Sequence, residues 1–193
     1  MSPPEPFIII TRVPIPASLP PATVLASLQT YEALITPNPY LDRYERRPVE
    51  AEDAADPFFA EDGQNLQAFI VYDRVPIIPG VGSWATKEVA IPCVFQTTQH
   101  GVRCCAHAQG GVTVRSRYEV RRRGEVKEGP ELEVKSGDGD YELVDISNIE
   151  CSALVKPFVK MRFSTAHQAL LEQVVDKLVG PSGGEYNATH AGS

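Results

Sequence analysis

The sequence lacks the markers that announce a function at once. No apolar run approaches the ~20 residues needed to span a bilayer, so no transmembrane segment is expected. Met1 to Pro6 shows no basic region leading into an apolar core. That argues against a secretory signal and for a cytoplasmic, intracellular protein. Cys93, Cys104, Cys105 and Cys151 form no CxxC pair. They read as reduced thiols rather than as a zinc site. There is no HExxH and no GxSxG, and Gly80-Val81-Gly82 follows a proline and reads as a turn, not a phosphate loop. His100, His107, His167 and His190 stand nowhere at ligand spacing. The expectation is no metal and no cofactor. A net charge of −7 argues against nucleic acid as a partner. The one basic cluster, Arg115, Arg117, Arg121, Arg122 and Arg123, reads as the solvated side and end of a strand.

What is present is a chain of 193 residues, the size of one domain with a sizeable core. Its 17 prolines gather at the N-terminus and in turns. The expected domain runs from residue 7 to 180, with flexible tails at 1–6 and 181–193. The best-marked element is a helix from Pro157 to Val179. Pro157 suits a first helical position. Val159, Phe163, Leu170, Val174 and Leu178 recur at helical spacing, Leu171 and Val175 widen the stripe, and Gly180-Pro181 stops it. Such a helix is roughly 35 Å long.

Nearly everything before it reads as short strands. Phe7 to Thr11 is a first strand, and Val13 to Pro21 an extended, proline-rich connection. Ala22 to Ile35 has helical spacing and is stopped by Thr36-Pro37-Asn38-Pro39. Leu41 to Val49 is a charged strand-edge candidate. Glu50 to Gly63 reads as an acidic loop whose Phe58 and Phe59 pack back onto the body. Further strands are expected at Gln64–Val75, Trp84–Thr98, Val102–Ala108, Val112–Val120 and Tyr141–Leu154, with Pro92 marking a break or an edge position. Val112 to Val120 alternates, with Val112, Val114, Tyr118 and Val120 on one side. A long amphipathic helix after a run of strands must lie against their sheet. The class is α+β.

Strand, helix, consecutive antiparallel strands and a closing helix is an order that resembles the helix-grip, or START-like, fold of the Bet v 1 and polyketide cyclase superfamily. In that fold a curved antiparallel sheet wraps a long C-terminal helix. More specifically the chain is similar to a family of fungal proteins with an uncharacterised START-like domain. The segments that carry this are Thr11-Arg12-Val13-Pro14-Ile15-Pro16, Glu32-Ala33-Leu34-Ile35 with Asn38-Pro39, Tyr72-Asp73-Arg74-Val75 before Ile78-Pro79-Gly80, and Phe158-Val159-Lys160 with Ala166-His167. Tyr118 stands where the family leads one to expect tryptophan, and Gln109-Gly110-Gly111 replaces a proline-containing turn. The family offers no catalytic residues to carry over.

The resemblance implies a space between helix and sheet, and sites of this kind are apolar with a few placed polar groups. Candidate catalytic groups are Tyr72 and Tyr118, on the apolar faces of their strands, and His107, mid-strand between alanines. Each has a plain alternative as a core side chain. Trp84, Phe163, His167 and Leu170 are the candidate ligand contacts. Asp145 and Glu150 read as solvent-facing. Two functions fit. One is a cofactor-independent cyclase, pericyclase or isomerase of fungal secondary metabolism acting on a hydrophobic polyketide or terpenoid. The other is a non-catalytic carrier of a lipid or another hydrophobic small molecule. Both leave room for a homodimer.

Overall fold

The computed structural model describes residues 6–59, 65–76, 86–125 and 137–180. Its elements are β1 (Phe7–Ile15), α1 (Pro21–Leu28), α2 (Glu32–Ile35), β2 (Leu41–Arg47), α3 (Ala51–Ala55), β3 (Leu66–Pro76), β4 (Thr86–Thr98), β5 (Gly101–Ala108), β6 (Val112–Arg122), β7 (Tyr141–Glu150) and α4 (Lys156–Val179). The described strands form one antiparallel sheet in the order β1-β7-β6-β5-β4-β3-β2. The sheet curves around α4, the helix-grip arrangement.

Period-two alternation assigns each strand's faces. Phe69, Cys93, Phe95, Cys104, Tyr118 and Leu143 point inward and join Val24, Leu28, Leu171, Val174 and Val175 in the main core. On the outer face Phe59, Ala68, Val94 and Cys105 make a smaller cluster, with Phe58 packed against it. The acidic segment after β2 therefore does fold back, and it contains a short helix, α3, where only loop is expected. That helix is held by reciprocal Glu50 and Asp53 capping. Pro92 sits where a strand tolerates it: the β4–β5 ladder begins one residue later, at Cys93, so no partner there needs its missing N–H.

The element boundaries depart most from the sequence reading in three places. β1 runs on through Pro14 to Ile15, because β1 is an edge strand and an edge accepts proline. β7 ends at Glu150, short of Leu154. The expected Ala22–Ile35 helix is broken at Tyr31, whose φ is 64°. Tyr31 leaves the helix to stack on Phe95, with ring centroids 5.1 Å apart, and its hydroxyl lies 2.8 Å from Thr97 Oγ1.

Gly101 fixes the approach of β5 to β6. A Cβ there would meet the Tyr118 carbonyl oxygen at 1.8 Å, far inside contact distance. Gly101→Ala must therefore displace the backbone that presents Tyr118. It should cost about 1–3 kcal/mol, read as a lower melting temperature, and should broaden signals around Tyr118 in NMR spectra. An alanine variant as stable as the parent would show that the ladder gives way freely.

Candidate functional site

The grip is not packed solid. A cavity of about 410 Å³ opens between α4 and the inner sheet face. Its walls come from β3 to β6, from α4, and from α2 with the loop that follows it, and most of its lining is apolar. Proline at 37 and 39 stops α2 and turns the chain so that Asn38 faces the cavity.

The polar groups cluster at one end. His167 Nδ1 lies 2.6 Å from Asp145 Oδ2. Asp145 is 0% exposed, and its Oδ1 accepts from Ser147 Oγ at 2.7 Å. Ser147 Oγ lies 2.5 Å from Ser116 Oγ. Because Ser147 spends its proton on Asp145, Ser116 is the donor in that pair. A carboxylate accepts from a ring N–H, so in this contact Nδ1 is the donor and Nε2 is the ring nitrogen not engaged by Asp145. Phe163 stacks on the imidazole at 3.6 Å between centroids, and Tyr118 lies parallel at 6.3 Å. Burial, and then the negative charge of Asp145, hold the Tyr118 phenol well above its ordinary pKa. Tyr118 is thus a hydrogen-bond donor and not a base. The same burial pushes the Cys93 thiol up to about 12 and Cys104 well above its ordinary value, so neither cavity thiol is a nucleophile.

The second polar station is Asp73, whose side chain also lines the cavity. Its Oδ1 accepts from Asn38 Nδ2 at 2.7 Å, while Asn38 Oδ1 receives the Tyr40 N–H at 3.0 Å. Burial raises the Asp73 pKa, and the bond from Asn38 only partly offsets this. A carboxyl whose folded pKa is raised binds its proton more tightly in the native state. Its stability contribution is therefore lost as pH climbs from the ordinary value of about 4 toward the raised one. Asp73→Asn keeps an acceptor for Asn38 and has no charge to bury. Melting curves of parent and variant should coincide at low pH and separate above about pH 4, with the variant the more stable. The opposite order would mean that Asp73 is stabilised as an anion.

The structure brings Tyr118, Phe163, His167 and Leu170 together around this cavity. Two expected partners are elsewhere. Tyr72 lies on the outer face, where its hydroxyl donates to Glu45 Oε1 at 2.6 Å under the Arg43 guanidinium. Phe69 and Val71 take the inward positions of β3, so alternation turns Tyr72 out. His107 is exposed on the same outer face, 3.7 Å from Cys105 Sγ and 3.3 Å from Thr113 Oγ1, because Cys104 and Ala106 point inward. Both residues are corrected as cavity groups. Trp84 lies outside the described residues. Asp145, expected in solvent, is instead fully buried. The signal that would have found it is the cross-strand register: Asp145 sits directly opposite Tyr118, so an inward Tyr118 carries Asp145 inward too.

The fold is that of polyketide cyclase and Bet v 1-like proteins. The chain aligns with the di-domain ARO/CYC BexL from the BE-7585A biosynthetic pathway over 91% of its length, at 11% identity and TM-score 0.58, spanning about half (51%) of that protein. It aligns with the di-domain ARO/CYC StfQ from the steffimycin pathway over 86%, at 8% identity and TM-score 0.51, covering 49% of that chain. Ara h 8.0201 matches over 89%, at 11% identity and TM-score 0.50, with 97% of its own chain covered. No curated protein sequence matches. Residues 5–180 match the domain of unknown function DUF7053, and the chain belongs to that family. No described helix is long and apolar enough to cross a membrane.

Proposed function

We propose that the protein is a cofactor-independent enzyme of secondary-metabolite biosynthesis, most simply a cyclase acting on a hydrophobic polyketide or terpenoid in the α4–sheet cavity. One observation carries this reading: a histidine stacked on Phe163 in an apolar cavity, with Tyr118 nearby and Nδ1 tied to a fully buried aspartate at 2.6 Å. A carrier needs the cavity but has no use for a buried, oriented imidazole. The ARO/CYC names of the structural neighbours are consistent with it.

For an aldol-type ring closure the steps balance without a cofactor. His167 Nε2 takes a proton from a carbon flanked by carbonyls. Tyr118 donates a hydrogen bond to the enolate oxygen that develops. The carbanion attacks a second carbonyl held nearby, a carbon–carbon bond forms, and the new alkoxide takes the proton back from His167. The apolar walls hold a flexible chain in a reactive conformer, which lowers the entropic barrier. Proton abstraction and return at two carbons, without ring closure, gives an isomerase on the same groups.

The test is to incubate the protein with a panel of synthetic 1,3-diketones and triketones of increasing chain length in deuterated buffer. Catalysis predicts deuterium uptake at the activated carbon, or a cyclised product by mass spectrometry, beyond the buffer rate. Compounds that bind, raise the melting temperature and are recovered unchanged and unlabelled would support the carrier instead, which the largely apolar lining also suits.

A further inference from the structure

The inward row of β3 reads Phe69, Val71, Asp73, at a spacing of two. The first two join the main core. The third puts a carboxyl into the wall of the cavity. Asp73 is 7% exposed. Asn38 donates to its Oδ1, and no other described group donates to this carboxyl. The arginines nearest in the sheet are engaged elsewhere: Arg43 pairs with Asp42 and Glu88, and Arg74 with Asp42. The raised pKa of Asp73 reflects burial and the bond from Asn38, and no cation contributes to it.

A carboxylate buried without a countercharge lowers stability. A group that lowers stability and faces a cavity marks a place where something binds. Asp73 also stands apart from the His167 end. Tyr118 is on β6 and Asp73 on β3, with β5 and β4 between them. Measured across the sheet that is roughly 14 Å, three strand spacings. Both side chains line one cavity, and most of the lining is apolar. The cavity therefore has two polar ends and an apolar middle.

We infer that Asp73 selects the far end of the ligand: its Oδ2 accepts a hydrogen bond from a hydroxyl or ammonium group on an elongated hydrophobic compound whose carbonyl end lies at His167 and Tyr118. This rests on the cyclase reading of the cavity and names the second polar end of its substrate. The shared chemistry is a hydrogen-bond donor. A methyl or ether end leaves Oδ2 without a partner and loses affinity. A hydroxyl supplies the donor, and an ammonium supplies the missing countercharge as well. Asn38 sets the orientation. Its Oδ1 receives the Tyr40 N–H and its Nδ2 donates to Asp73 Oδ1, which leaves Oδ2 for the ligand.

The experiment measures dissociation constants by calorimetry for synthetic 1,3-diketones. Each carries a methyl, methoxy, hydroxyl or dimethylamino group at the far end of a methylene spacer of varied length. Once the spacer spans the two polar ends, the hydroxyl compound should bind about fivefold more tightly than the methoxy compound. The protonated dimethylamino compound should bind at least about tenfold more tightly than the methoxy compound. Asp73→Asn turns an N–H toward the ligand in place of Oδ2. It should erase both preferences while still binding the methoxy compound. Equal binding of all four end groups by the parent overturns the inference, and so do preferences that survive in Asp73→Asn. Deuterium uptake at the diketone carbon in the same samples reports the enzyme reading separately. Uptake without an end-group preference keeps the enzyme and removes this role of Asp73. Preference without uptake keeps the donor site and makes the cavity a carrier's. Binding of none of the compounds overturns both.

Discussion

Replacing His167 with phenylalanine should lower turnover of a diketone substrate by roughly 10²–10⁴-fold, the range for losing a positioned general base, while ligand still enters the cavity. Phenylalanine keeps the stacking on Phe163 and removes the two ring nitrogens. A comparable loss is expected from Asp145→Asn, for a different reason. The amide preserves volume but removes the charge that favours an imidazolium beside it. Because a buried unpaired charge is costly and a neutral pair is not, Asp145→Asn should melt no lower than the parent, whereas His167→Phe strands Asp145 and should melt lower. The pair of measurements separates catalysis from scaffolding. If both variants keep full turnover and differ from the parent only in stability, the His167–Asp145 pair is structural and the enzyme reading falls. Ligand binding by the variants, followed as a rise in melting temperature, is the control that the cavity survives.

The second large effect is on stability. Tyr31→Ala should cost about 3–5 kcal/mol, which for a chain of this size lowers the melting temperature by roughly 10 °C. The ring is 2% exposed. It stacks on Phe95 and meets Phe69 edge-on at 6.3 Å. Removing it empties the junction between α1, α2 and the sheet. Tyr31→Phe keeps the ring and gives up only the contact of its hydroxyl with Thr97, about 1 kcal/mol. The positive φ adds a sharper expectation. A left-handed conformation costs a non-glycine residue about 1–2 kcal/mol, so Tyr31→Gly should be more stable than Tyr31→Ala, a reversal of the usual order for these two residues. Alanine at or above glycine would mean that the backbone relaxes once the ring is gone.

The helix-grip architecture was legible because its strongest signals are periodic. The α4 stripe, the alternation of β6 and the glycine and proline turns each followed from spacing alone, and together they constrain the layer order. The cavity site was legible only in part. Tyr118 lies on a strand whose two faces differ in polarity, so its direction could be read. Tyr72 and Asp145 lie on strands with mixed faces: β3 puts Ala68 and Ile70 on one side and Phe69 and Val71 on the other, and β7 is buried along most of its length. Alternation cannot choose a side there, and only pairing to a strand of known direction does. The break at Tyr31 was invisible for another reason. Its local spacing favours a continuous helix, and a tertiary aromatic contact overrides it.

The pairing of β1 with β7 sets the order of events by which this chain folds. Phe7 lies opposite Ile149 and Ile15 opposite Tyr141, so the first described strand finds its ladder only after every other strand has been made. β2 to β7 are joined in sequence and can zip as successive hairpins, whereas closing the β1 loop waits on a long-range search that local contacts do not reward. In the interval β7 presents an unpaired edge, with Val144 and Ile146 uncovered beside Ile10. A chaperone that shields this edge during synthesis should raise the yield of native protein more than one that acts on the finished chain.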